Sequence, residues 1–236
     1  MSRHAEPWST PSSWYLLNSN NVPRRMTRKL PSYGKDTWGH LPELSWRPAP
    51  LYAADRQVLI LPSGPADKLE TCGLFFTHLI NKAHDRLWIV SPYFVPDEAV
   101  VSALQLAALR GVDVRILLPQ RSDNWLVHLA GCAFLQEILS TGVHVYRYNR
   151  GFLHQKVVLV DDDTATIGTA NFDNRSFRLN FEVTAVFADR EFTEQVARML
   201  KDDFSHSEPV DATRVSERRW SFQLASRMAR LLAPVL

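Results

Sequence analysis

From Arg56 onward, apolar runs rich in Val, Ile and Leu alternate with amphipathic stretches of 12 to 18 residues, the alternation expected of βα units. Strands are predicted at Gln57–Leu61, Leu87–Ser91, Val112–Leu118 and Val143–Tyr148, and helices at Asp67–His84, Asp97–Arg110 and Asn124–Ser140. Pro96 stands at a first-turn position, and Gly111 and Gly142 fall just past helix ends. The continuous segments Leu87-Trp88-Ile89-Val90 and Ile116-Leu117-Leu118 need cover on both faces. The predicted class is therefore α/β, with a mixed, mostly parallel sheet flanked by helices on both faces.

After Tyr148 the connections shorten. Leu153–Asp161, Thr164–Gly168 and Asn180–Asp189 read as strands joined by tight or irregular turns, and a helix follows at Glu191–Phe204. Before residue 55 the pattern is different: seven of the 14 prolines and four of the seven tryptophans lie in the first 50 residues, where neither helical nor strand periodicity is sustained. Residues 1–54 are expected to be an irregular segment, 55–209 the folded body, and 210–236 a basic amphipathic tail. Arg24, Arg25, Arg28, Lys29 and Lys35 form a basic run that reads as a solvated face or as a phosphate contact.

A chain of 236 residues with 45% apolar positions can bury a real core, which excludes disorder along its whole length. A net charge of +2 is too small to imply a polyanionic partner, so any basic site must be local. No apolar run reaches the 18 residues of a membrane span, and Met1–Pro7 lacks the apolar core of a signal peptide; a chain without its own transmembrane segment is expected. Cys72 and Cys132 sit in apolar helical patterns and read as buried hydrophobes in a reducing compartment, not as a disulfide or zinc framework.

The period of two along Leu153–Asp161 puts Leu153, Gln155, Val157 and Leu159 on one face and His154 with Lys156 on the other. A core strand has no structural use for an imidazole beside an ammonium, because each cation raises the cost of the other and both lose hydration. An anion between them removes that conflict. Downstream, Gly168-Thr169-Ala170-Asn171 offers a small residue, a hydroxyl and an amide, groups able to donate to phosphate oxygens. Glu182 lies opposite Phe181 and Val183 on its strand, available to orient a histidine.

His154-x-Lys156-x4-Asp161, followed by Gly168-Thr169-x-Asn171 and Glu182, resembles the HKD motif of the phospholipase D superfamily. The surrounding Gly151–Asp161 and Gly168–Glu182 segments, with Ser91-Pro92-Tyr93-Phe94-Val95-Pro96, are similar to the bacterial cardiolipin synthases, from about Asp55 to the C-terminus. The resemblance implies a phospholipase D-like catalytic half-domain and a pocket in which two HKD motifs face each other. One histidine takes the phosphoryl group as phosphohistidine, and the other protonates the leaving alcohol and later deprotonates the acceptor. It implies that His154 holds one of these roles, that Lys156 and Asn171 bind the non-bridging oxygens with Thr169 as a further donor, that Glu182 holds the His154 ring, and that Asp161 supports the loop. No cofactor is implied and no metal, and no ligand spacing suggests one.

The expected reaction is transfer of the phosphatidyl group of one phosphatidylglycerol to the glycerol of a second, giving cardiolipin and glycerol, at the cytoplasmic membrane of a bacterium with the chain as a peripheral protein. Only one HKD motif is present. Arg56–Leu236 resembles the second half of a two-motif enzyme, and three arrangements follow: a piece of a longer protein with its N-terminal half missing, a homodimer supplying His154 twice, or a non-catalytic membrane-binding half. A phosphodiesterase or nuclease is the alternative chemistry. Nucleic acid is not expected as a partner, because no basic stripe with interleaved aromatics is present. In the tail, Trp220, Leu224, Met228, Leu231, Leu232 and Val235 share a helical arc of roughly 120° with Arg219, Arg227 and Arg230 at or beyond its edge. That reads as an interfacial helix attracted to anionic lipid, or as a terminal helix packed on its own domain.

Overall fold

A computed structural model describes residues 58–122, 124–211 and 220–235, together with the backbone of a short strand at residues 15–17. In chain order the elements are β1 (Tyr15–Leu17), β2 (Val58–Ser63), α1 (Thr71–Lys82), β3 (Arg86–Val90), β4 (Phe94–Val95), α2 (Glu98–Leu109), β5 (Asp113–Pro119) and α3 (Trp125–Leu139). They continue with β6 (His144–Tyr148), β7 (Val157–Val160), β8 (Thr164–Gly168), β9 (Phe172–Asp173), α4 (Asn174–Arg178), β10 (Glu182–Ala188), α5 (Arg190–Ser205), β11 (Ser207–Pro209) and α6 (Trp220–Arg230), then a 3-10 turn at Ala233–Val235.

Local chemistry sets the helix ends. The Asp97 carboxylate accepts from the Val100 amide to cap α2, and the Asn124 side chain accepts from the Leu126 and Val127 amides to cap α3. Gly111 (φ +90°) and Gly142 (φ +95°) take the left-handed conformation just past α2 and α3, where a β-carbon is strained.

Nine strands form one sheet in the order β1-β2-β10-β8-β7-β3-β5-β6-β11. The α/β class and the mixed sheet stand, but the expected parallel majority does not. Only β3–β5 and β5–β6 pair in parallel, where α2 and α3 carry the chain back across the sheet. Among the described residues every other pair of this sheet is antiparallel, and after Tyr148 the links are too short for a crossover; β7 and β8, for example, are joined by the turn at Asp161–Asp163. β1 extends the far edge by pairing with β2, a strand inside a stretch whose periodicity predicts none. The rest of residues 1–54 and the basic run from Arg24 to Lys35 lie outside the described residues.

Side-chain alternation sends the central strands into two cores. Leu87, Ile89, Val114, Ile116, Val158 and Val160 pack with α1, α2 and α3, whereas Trp88, Val90, Leu117, Val157 and Leu159 pack with Val196, Ala197, Leu200 and Phe204 of α5. Helices therefore cover both faces, which is why β3 and β7 are apolar at consecutive positions. β7 is shorter than the predicted Leu153–Asp161: residues 153–156 run into it outside the ladder, although Leu153 keeps its place in the α5-side core. α6 packs chiefly on α3, burying Ser226 and Ala229. Among the described residues no helix is long and apolar enough to cross a membrane. Cys72 and Cys132 are buried and not joined in a disulfide; burial pushes the Cys72 thiol up to about 12, which keeps it protonated and inert.

Candidate active site

Strand register gathers most of the predicted residues at one end of the sheet. Val157 pairs with Val90, so His154 and Lys156 lie beyond the C-terminal end of β3, beside the start of Ser91-Pro92-Tyr93. The Gly168 amide donates to the Lys156 carbonyl (3.1 Å), which brings the end of β8 alongside. Thr184 of β10 pairs with Gly168, placing Glu182 next to the loop that follows. Gly168 has to be glycine: a β-carbon there would stand 2.7 Å from the Val183 carbonyl oxygen and 2.9 Å from Thr184 Oγ1.

Asp161 does not join this cluster. It follows the far end of β7, seven residues from His154, or about 20 Å of extended chain. There its carboxylate accepts the backbone amides of His84 (3.1 Å), Asp85 (2.8 Å) and Arg86 (3.1 Å), while Arg86 Nε donates to its carbonyl (2.9 Å). Its backbone is left-handed at φ 49°. Burial pushes its pKa up, but the three amide donors outweigh that and hold the carboxyl below its ordinary range. The residue fastens the β7–β8 turn to the start of β3.

His154 is exposed, and its imidazole stacks on Phe152 with ring centroids 5.4 Å apart and planes 11° from parallel. Lys156 is half-buried, and its Nζ donates to the His154 carbonyl (3.0 Å). Burial lowers the Lys156 pKa, and the Glu182 and Asp173 carboxylates oppose that shift without cancelling it. An anion arriving here meets an ammonium already stripped of part of its water.

Glu182 does not hydrogen-bond His154 in the described network. One carboxylate oxygen accepts from the Thr169 hydroxyl and the other from Asn180 Nδ2 (3.2 Å). Thr169 Oγ1 in turn accepts the Val183 amide (3.0 Å), so the exposed Thr169 ties the loop to β10. Asn171 donates through its side chain to Asp173, and its Oδ1 is buried with no hydrogen-bond partner among the described residues. Lys156, Gly168, Ala170 and Phe172 line one small hollow with Phe76, Val90 and Thr184.

Sequence reasoning about single residues missed the frame behind this loop. Ser91 is fully buried; its hydroxyl donates to the Tyr93 carbonyl (2.6 Å) and accepts the Phe172 amide (3.0 Å). β4 and β9 pair in parallel immediately beyond, and Asn174 Nδ2 donates to the Val95 carbonyl (3.2 Å). Asp173 caps α4 by accepting the Ser176 amide (2.7 Å), and Ser176 Oγ accepts the Asn171 amide (3.1 Å). Burial pushes the Asp173 pKa up and Glu182 adds to that, against the donors Ser176 and Asn171. The available signal was the polar content of Ser91–Pro96 and Asp173–Ser176, segments with no surface-like pattern. Among the described residues no group of three or more His, Cys, Asp or Glu could hold a metal ion.

A sheet of this topology with an exposed histidine, a lysine two positions on and a small-residue loop at the same edge has the phospholipase D architecture, and solved structures bear out the fold. A phospholipase D family member, Nuc, from Salmonella typhimurium superposes with a TM-score of 0.55 at 21% identity, covering 65% of this chain and 97% of its own. A phosphatidylserine synthase from Haemophilus influenzae gives 0.63 at 17% identity, covering 92% and 56%. Residues 76–204 match the family model described as cardiolipin synthase, PLD-like domain, and the chain belongs to that family. Among curated proteins, cardiolipin synthase A of Pseudomonas aeruginosa is 57% identical over 178 residues, which is 75% of this chain and 36% of the relative. Cardiolipin synthase A of Pseudomonas putida is 54% identical over 176 residues, 75% of this chain and 37% of the relative. The chain thus spans a little over a third of the length of the curated relatives it matches.

Proposed function

We propose that this chain supplies one catalytic half of a phosphatidyltransferase that makes cardiolipin from two phosphatidylglycerol molecules. The observation that carries the reading is that the segment matched to the cardiolipin synthase family, residues 76–204, contains the whole cluster at the sheet edge: Ser91, His154, Lys156, Gly168–Asn171 and Glu182.

A phosphodiester repels nucleophiles through its negative oxygens, so the site must first neutralise them. Lys156, partly desolvated, binds a non-bridging oxygen, and the Asn171 amide together with loop donors binds the other. His154 serves as nucleophile or as general acid and base, roles open to an imidazole because it can both give and take a proton. Glu182 fixes Thr169 and places negative charge near Lys156; the same charge favours an imidazolium developing on His154. The phosphorus–oxygen bond to glycerol breaks as the phosphorus–nitrogen bond forms, and the proton for the leaving glycerol comes from a second histidine. The glycerol hydroxyl of the second phosphatidylglycerol then loses its proton to that histidine, attacks phosphorus and frees the nucleophile. One chain has one such histidine at the site, so a second motif completes the pocket, from a second copy or from another half-domain. The lipid substrates make the assembly peripheral to a bacterial cytoplasmic membrane.

The test is thin-layer analysis of lipids after incubation with phosphatidylglycerol vesicles, beside a fluorogenic nuclease assay. Specific activity and mass by light scattering are followed over the same protein concentrations. Cardiolipin should form in proportion to the dimer, or to the chain joined with a partner half. His154→Ala should lower it by at least about a hundredfold, the lower bound for acid–base work. Nuclease activity without cardiolipin, or full activity in His154→Ala, would overturn the reading.

A further inference from the structure

α6 docks the unexpected way round. The side of α6 turned to the body carries mostly small or polar residues: Ser226 and Ala229 are buried, and Phe222, Gln223 and Arg230 are half-buried, with Ala233 buried one turn further on. Arg230 fixes the helix by donating to Glu137 (2.7 Å), lying 3.9 Å from Glu98 and covering the Phe134 ring at 4.4 Å. The opposite face carries the bulk. Trp220, Leu224, Met228 and Leu231, at intervals of four, four and three residues, are 77%, 52%, 58% and 71% exposed. With α6 held only by its docking, burial of these four side chains against the body would be the stable choice. The Arg230 contacts and the close approach of Ser226 and Ala229 instead hold the apolar face outward.

We propose that this face is the surface by which the protein lies on an anionic lipid bilayer. Charge argues for that occupant. From Arg218 to Leu236 the chain has no Asp or Glu and four arginines, of which Arg227 flanks the apolar arc and is exposed. A protein interface has little need for so uniform a sign, whereas an acid-free helix with Trp and Leu facing outward matches headgroup phosphates above acyl chains. The helix also reaches the site. The 3-10 turn at Ala233–Val235 packs against α4, the element whose Ser176 and Asp173 hold the Asn171 loop. Bilayer contact at α6 therefore sets the height of the phosphate-binding loop above the lipid surface. The proposal deepens the phosphatidylglycerol reading and rests on it only for the purpose of the contact, since the contact itself is measured without turnover.

The experiment is vesicle flotation of the full chain with phosphatidylcholine alone and with phosphatidylcholine–phosphatidylglycerol mixtures, for wild type, Leu224→Glu/Met228→Glu, Arg227→Glu and His154→Ala. Wild type should float with the anionic vesicles and much less with neutral ones. The double substitution should weaken partitioning by more than about tenfold, because two buried apolar side chains are lost and two like charges added. Its thermal unfolding should be unchanged, since both positions are solvent-facing. Arg227→Glu should weaken only the anionic preference, and His154→Ala should bind like wild type. Brominated lipid should quench tryptophan emission, and Trp220→Phe should remove most of that quenching. Equal binding by the double variant, or equal binding to neutral and anionic vesicles, would overturn the proposal. So would light scattering that shows a dimer dispersed by the same substitutions without lipid, which would make a second copy the occupant. A chain that binds lipid through α6 but makes no cardiolipin would leave this surface standing and remove the catalytic reading alone.

Discussion

Replacing Asp161 separates a structural from a catalytic role for the third residue of the HKD motif. Its carboxylate accepts three backbone amides that begin β3, and its own backbone is left-handed at φ 49°. In Asp161→Ala the His84 and Asp85 amides regain water, so each loss is about 0.5 kcal/mol, whereas the part-buried Arg86 amide loses about 1.5 kcal/mol. Alanine in a left-handed conformation adds about 1 kcal/mol. Asp161→Ala should therefore destabilise the chain by about 3.5 kcal/mol in all. Asp161→Gly is relieved of the backbone strain and should cost about 2.5 kcal/mol; Asp161→Asn keeps an acceptor and tolerates the conformation, so it should cost about 1 kcal/mol. Urea unfolding followed by circular dichroism reads these as midpoint shifts at constant slope, about 1 to 1.5 M for alanine. The carboxyl titrates below its ordinary value of 3.8 in the folded chain. Its contribution is therefore present in full above that value and fades as pH falls through the folded one, so the gap between wild type and Asp161→Asn should close on acidification. Three variants as stable as wild type, or a loss of turnover in Asp161→Asn with stability intact, would refute the assignment and return Asp161 to the chemistry.

Gly168→Ala should cost about 2 to 3 kcal/mol, because its β-carbon meets the Val183 backbone oxygen at 2.7 Å and β8 must part from β10; Gly131→Ala, at 3.0 Å from the Phe94 oxygen, should cost less, as thermal melts will show. Glu182→Gln removes a carboxylate that supports the charged form of Lys156, so the lysine should titrate still lower in the variant, followed by NMR of the labelled amine. An unchanged Lys156 titration would separate the two residues.

Much of the fold was legible because helix ends are written locally. Asp97 and Asn124, where the predicted helices begin, are the residues that cap α2 and α3, and both helices close at glycines with positive φ. Strand direction was not legible from pattern, since parallel and antiparallel strands of a covered sheet share apolar runs; the short turn Asp161–Asp163, read correctly as a turn, was what should have set β7 and β8 antiparallel. β4 and β9 have two residues each and no periodicity, and their pairing depends on the Ser91 hydroxyl, which no window of sequence around Phe172 contains. At the site, the period of two drew attention to His154 and Lys156, which run into β7 outside the ladder with Lys156 Nζ bonded to the His154 carbonyl. The destination of Glu182 escaped it, because Thr169 lies thirteen residues away in sequence and competes for the carboxylate through a rotamer that spacing does not encode.

The bond from the Phe172 amide to Ser91 Oγ spans 81 residues, and that separation orders events in time. Helices and the β7–β8 hairpin can form from near neighbours, but the Gly168–Asn171 loop gains its backing only after a closure that long has been made, when most of the entropy of the intervening chain has already been surrendered. Anion binding is therefore a late property of the refolding molecule, recovered after circular dichroism has levelled. A nascent chain emerging from the ribosome carries β4 for about eighty residues before its partner strand exists.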